Sequence, residues 1–198
     1  LRTDRIPQSI SIVQSLLLYS SEKEKHDYYL ALASFYKHSG DFKKAISCYN
    51  NILSSELDTP NRNYLFRGIA SFYLLDGHNK KALETLRLVH LPDTAKWSSI
   101  LFAKVYYKNN LLDSALLYIN KSLENGNNHY TAYTTKAKIL KAQGKTDGIC
   151  TLVQQAMALI EEQKLEQMLE QRDKTNPFIQ LQIKDIDETK QLKKEYCN

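Results

Sequence analysis

The five histidines and three cysteines are the residues of this chain that could support metal, redox or nucleophilic chemistry. A zinc site needs ligands at short fixed spacings, such as two histidines one helical turn apart with a glutamate between them. His26, His38, His78, His90 and His129 are scattered singly, with no such pairing. Cys48, Cys150 and Cys197 show no C-x2-C spacing, so neither a metal knuckle nor a dithiol motif is written here. The odd count argues against a disulfide framework, although Cys197 stands at the chain end where it can crosslink. Cys48 and Cys150 read as small apolar residues on helices. No G-x4-G-K-[ST], G-x-G-x2-G or G-x-S-x-G occurs to cradle a phosphate or raise a serine nucleophile. The chain is therefore expected not to be an enzyme and to hold no metal or organic cofactor.

The elements behind these residues repeat with a period of roughly 34 residues, the length of a helix–turn–helix repeat. Ala33, Ala70, Ala103 and Ala137 are each followed three positions later by Tyr36, Tyr73, Tyr106 and Leu140. Seven positions after each alanine come Gly40, Gly77, Asn110 and Gly144, and five further on Ala45, Ala82, Ala115 and Ile149. Small residues on two successive helices let them approach closely, and the aromatics fill the space beside them. The turn between the helices calls for a residue at home with positive φ, which glycine supplies and asparagine tolerates. A single hairpin of this kind cannot bury its apolar face alone, so its stability must come from stacking on neighbours.

This pattern resembles the tetratricopeptide repeat. Repeat one (26–59) carries Tyr29, Leu32, Ala33, Tyr36, Gly40 and Ala45; repeat two (63–95) carries Phe66, Ile69, Ala70, Tyr73, Gly77 and Ala82. Repeat three (96–129) carries Phe102, Ala103, Tyr106, Asn110 and Ala115. Repeat four (130–160) departs from the pattern at Lys136 and Ile149. The resemblance implies an all-α fold, an α-solenoid of antiparallel helical hairpins wound into a right-handed superhelix. It also implies a function in binding rather than catalysis.

In that family the first helix of each repeat lines a concave groove. The resemblance turns Lys37, Tyr64, Arg67 and Trp97 inward, together with Lys104, Tyr107, Lys108, Lys138 and Lys141. Such a face is more basic than the overall net charge of +5 requires, and its aromatics are of the type enriched at binding hot spots. The expected partner is a protein or peptide segment, acidic or extended. The clamp that chaperone-binding members use for a terminal carboxylate is missing, because Leu30 and Ser34 stand where its lysine and asparagine belong. The alternative is single-stranded RNA, which helical-hairpin arrays can also bind. Base readout needs matching polar residues at equivalent positions of successive repeats, and Leu30, Arg67, Ile100 and Thr134 form no such code.

The flanks are different. Residues 1–25 place Ile6, Ile10, Val13 and Leu17 on one helical stripe, read as a helix packed on the first hairpin, half of a preceding repeat. Interrupting Gln and Ser residues argue against a signal sequence. The start at Leu1 reads as processing or trimming, which leaves an upstream export signal or anchor open. On that ground the bacterial envelope or periplasm is favoured over the cytoplasm. Residues 161–198 read as an extension of the last repeat helix through Gln171, a break at Asn176-Pro177 and a final helix. That last helix either caps the array or leads to a partner. No apolar run is long enough to cross a bilayer. The resemblance extends to bacterial regulators and envelope-associated assembly factors that carry such repeats.

Overall fold

Four backbone positions carry the architecture, and in the computed structural model all four lie in the left-handed region: Gly40, Gly77, Gly144 and, without a glycine's freedom, Asn110 at φ 59°. The structure describes residues 5–54, 57–90 and 96–197, except the side chains of Lys96 and Trp97. Among these residues there are eleven helices and no strand. They are α1 (Ile6–Leu17), α2 (Glu22–Ser39), α3 (Phe42–Leu53), α4 (Thr59–Leu75), α5 (Asn79–Leu86) and α6 (Lys96–Lys108). There follow α7 (Leu112–Glu124), α8 (Tyr130–Ala142), α9 (Ile149–Glu162), α10 (Leu165–Glu170) and α11 (Pro177–Tyr196).

The chain divides into two units, Leu1–Leu91 with Thr175–Phe178, and Pro92–Lys174 with Ile179–Asn198. In the first, α1 packs on α2, α2 on α3, α3 on α4 and α4 on α5. In the second, α6 packs on α7, α7 on α8, α8 on α9, α9 on α10, and α6 also meets α8. The helix starts are chemically marked. Ser21 and Glu24 form a reciprocal capping box at α2, Asp41 accepts from the Lys44 amide at α3, and Asp58 accepts from the Asn61 amide at α4. Pro7, Pro60 and Pro177 sit in first turns, where a missing donor costs nothing, while Pro92 lies outside the described residues.

The small residues of the repeat are where close approach demands them. Ala33, Ala70, Ala103 and Ala137 have no exposed surface, and neither do Ala45, Ala82, Ala115 and Ile149. The isoleucine replaces alanine in α9, where it packs with Ala137, Val153 and Leu192. Ala82→Leu is expected to overpack the α4–α5 contact and cost about 1–3 kcal/mol, read as a lower urea midpoint. An unchanged midpoint would mean that this contact has slack.

The amino-terminal stripe behaves as a packed helix. Ile6 is buried, Ile10, Val13 and Leu17 are half-buried, and Gln14 Nε2 donates to Tyr36 Oη at 3.0 Å.

One expectation about the last repeat is overturned. Its second helix does not run on to Gln171: α9 ends at Glu162, Lys164 turns through φ 50°, and α10 begins at Leu165. No glycine or proline signals this break. It folds Leu165 and Leu169 back onto a cluster of Tyr130, Ala156, Leu159, Ile160 and Ile186, and that burial offsets the strain of a left-handed lysine.

Candidate partner-binding face

In the first unit, Lys37 lies near the end of α2 and is half-buried. Its ammonium stands 4.9 Å from the centre of the Phe178 ring, and burial pushes its pKa down. Phe178 is held there by its neighbours. Asn176 Nδ2 donates to the His38 carbonyl while Asn176 Oδ1 accepts from the Phe178 amide at 2.9 Å, capping the start of α11. The Phe178 ring also meets His38 edge-on at 5.5 Å. Pro177 covers the turn at Gly40 so closely that a Cβ there would come within 2.6 Å of its ring. Tyr64 is half exposed on α4 and leans on Tyr49, with ring centres 6.2 Å apart, and Arg67 is half-buried on the same helix.

In the second unit the lysines face carboxylates. Lys138 on α8 bonds to Asp185 at 3.0 Å and to Glu188, both on α11. Lys104 on α6 reaches the other oxygen of Asp185 at 3.6 Å, and Lys141 meets Glu195 at 2.6 Å. Between these pairs the Thr189 hydroxyl donates to the Asp185 carbonyl at 2.8 Å and so accepts from Thr134, 2.9 Å away. Ile186 joins the Tyr130–Ile160 cluster and Leu192 the Ala137–Val153 cluster. Lys190 bonds to Glu166 at 2.8 Å, tying α11 to α10. Tyr107 packs beside the Ile100–Ile139 cluster, with exposed Lys108 5.8 Å over its ring. The Trp97 side chain falls outside the described residues.

No protein-family model matches this chain, and no curated protein matches it either. What the face can do must therefore be read from its own chemistry.

That chemistry is a charge match between lysines of α6 and α8 and carboxylates of α11. Burial works against the Lys138 ammonium, but Asp185 and the bonds to Glu188 and Asp185 outweigh it and raise its pKa. Burial likewise opposes the Asp185 carboxylate, and the charges of Lys104 and Lys138 overcome it and lower its pKa. Burial and the charge of Lys104 lower the pKa of His129, against the pull of Asp185. Its Nδ1 accepts from the Thr131 amide at the start of α8. Among the described residues no group of three or more His, Cys, Asp or Glu side chains is arranged to hold a metal.

These shifts set a pH window. The stabilisation from Asp185 is complete above the ordinary aspartate pKa and is lost as pH falls through the lowered folded value. That from Lys138 is complete below the ordinary lysine pKa and is lost as pH rises through the raised one. Tyr130 and Tyr196 lie against or on α11, so near-ultraviolet circular dichroism should change in acid and in strong alkali and stay flat between. A transition near neutrality would point to a different controlling group.

Two features lay outside the reading of the sequence. Asp185, Glu188 and Glu195 fall on one stripe of a 3.6-residue helix together with Thr189 and Leu192, a signal present in the spacing. The other is a disulfide between Cys150 and Cys197, with Cα atoms 5.0 Å apart. Cys150 is thus not an inert apolar residue. The odd cysteine count arises because Cys48 alone stays a buried thiol.

Proposed function

We propose that this chain is a non-catalytic interaction scaffold of tetratricopeptide-repeat type, a right-handed α-solenoid that holds an acidic segment of a protein partner on the basic face of its first helices. Buried alanines at the repeat positions and left-handed turn residues at Gly40, Gly77, Asn110 and Gly144 support the repeat reading. The observation that carries the binding reading is that Lys104, Lys138 and Lys141 are each engaged by a carboxylate of one amphipathic helix. A surface of this kind selects by charge pattern as well as by apolar fit. The Cys150–Cys197 disulfide supports an oxidising compartment such as the bacterial envelope. A receptor module of an envelope-associated assembly or regulator is the role that fits, by analogy of fold.

The test uses a labelled acidic helical peptide and a labelled single-stranded RNA, titrated by fluorescence anisotropy with the disulfide intact and reduced. The peptide is expected to bind with a rate that falls as salt rises, and the Lys104→Glu and Lys141→Glu variants to associate more slowly. Preference for the RNA, or no peptide binding in either redox state, would overturn this function.

A further inference from the structure

The helix that lies on the basic face is part of the chain itself, and the composition of its interface is informative. A helix that only closes the end of an array needs an apolar stripe and a polar outer surface. The contact of α11 is half ionic. Ile186 and Leu192 enter apolar clusters, while Asp185, Glu188 and Glu195, on the same stripe as Leu192, answer Lys104, Lys138 and Lys141 beside the Thr134–Thr189 hydroxyl pair. The pairs to Asp185 are partly buried and must overcome their own desolvation, while Lys141–Glu195 is exposed and screened, so these pairs add less stability than apolar packing and more discrimination between partners. The face is built to recognise a pattern, and α11 carries it: carboxylates at i, i+3 and i+10, a threonine at i+4, and apolar residues at i+1 and i+7.

The ends of α11 are fixed differently. Its start follows directly from the residues after α10, whereas its end is fastened by the disulfide, since Cys197 follows the last residue of α11 and Cys150 is the second residue of α9. Both cysteines are partly exposed. Leu192 and Glu195, which contact the α8–α9 side of the face, lie just before the fastened end.

Building on the binding function above, we infer that α11 is the resident occupant of a docking site for an acidic amphipathic helix of a partner protein, and that the Cys150–Cys197 disulfide is the latch that keeps it there. Opening the latch consumes a dithiol reductant. One of its thiolates attacks a disulfide sulfur, giving a mixed disulfide and releasing the other protein cysteine as a thiolate. The second thiol of the reductant then displaces the remaining cysteine and closes its own disulfide. Two electrons and two protons pass to the protein, which ends with two thiols, and the reductant ends oxidised. Held only at its start, α11 competes as a tethered ligand at an effective concentration of about millimolar, and a partner helix with the same pattern and higher affinity displaces it.

The experiment compares the full chain, oxidised and reduced, with the Cys197→Ser variant. Hydrogen exchange reports α11, and the anisotropy of a labelled peptide of residues 179–196 at low salt reports the face. The amides of α11 are expected to exchange at least about tenfold faster in the reduced protein and in Cys197→Ser, with α7 unchanged. The peptide is expected to bind these two forms at least about tenfold more tightly than the oxidised one, and Lys104→Glu and Lys141→Glu to weaken it. Equal exchange of α11 in all forms would overturn the latch and leave α11 a fixed cap, even with peptide binding intact. Faster exchange without peptide binding would support the latch and overturn the partner-binding function. A dimer formed on reduction, seen by light scattering, would mean that a second copy supplies the helix and would overturn the assignment of a separate partner.

Discussion

Lys138→Glu is expected to strip α11 from the face it covers and to destabilise the second unit by about 3 kcal/mol, the lower end of the cost of removing one partner from a buried ion pair, because this pair is only partly buried. Only 17 % of the Lys138 side chain is exposed, and it sits against Asp185 and Glu188. A glutamate there would face two carboxylates already present, leaving Lys104 as the nearest compensating charge. Urea unfolding followed by circular dichroism measures the loss, and faster proteolysis after residue 178 locates it. Lys138→Met keeps the volume without adding a charge, so its loss should be smaller. Combining Lys138→Glu with Asp185→Lys should restore part of the stability, because the pair is rebuilt with opposite polarity. If Lys138→Glu unfolds at the same urea concentration as the parent, these ion pairs contribute no net stability.

Gly68→Ala should be nearly as damaging in the first unit, although alanine is the better helix former. Gly68 lies inside α4, where glycine costs about 1 kcal/mol relative to alanine. The reason to keep it is steric. A Cβ on Gly68 would stand 2.0 Å from Cε2 of Tyr49. That ring is buried between Phe72, at 5.3 Å, and Tyr64, so it cannot swing aside freely. Overpacking should cost about 3 kcal/mol, the upper end of the usual range, and the gain in helix propensity offsets only part of it. Combining it with Tyr49→Phe would not relieve the clash, whereas Tyr49→Ala would replace it with a cavity. Thermal unfolding of Gly68→Ala at or above the parent temperature would show that Tyr49 has room to move.

The all-helical fold, its turn positions and its buried small residues were legible because their constraints are local. A positive φ at the turn selects glycine or asparagine, and close helix approach selects alanine, so Gly40, Asn110 and Ala82 announce themselves at fixed intervals. The break at Lys164 was not legible, since it is driven by where Leu165 and Leu169 find apolar neighbours and no residue at the turn marks it. The same limit applied to the face. Periodicity assigns a side to Lys104, Lys138 and Lys141 but says nothing about which distant segment returns to meet them. The partners lie 47 to 54 residues beyond Lys138 and Lys141, and further still beyond Lys104, all in α11, and the disulfide spans 47 residues. Contacts of that range leave no period. Nor does periodicity show that Tyr107, expected on the open face, packs beside a core cluster.

Cys48 gives the first unit a built-in stopwatch. Its thiol is buried in α3, and burial together with the charge of Asp41 pushes its pKa up to about 11, so the reactive thiolate is scarce while the unit is closed. An alkylating reagent can therefore mark this sulfur almost solely during openings. The labelling rate, divided by that of an unstructured thiol, counts how often α3 lets go of its neighbours. With Cys150 and Cys197 joined, no engineered probe is required, and the untouched protein keeps its own time.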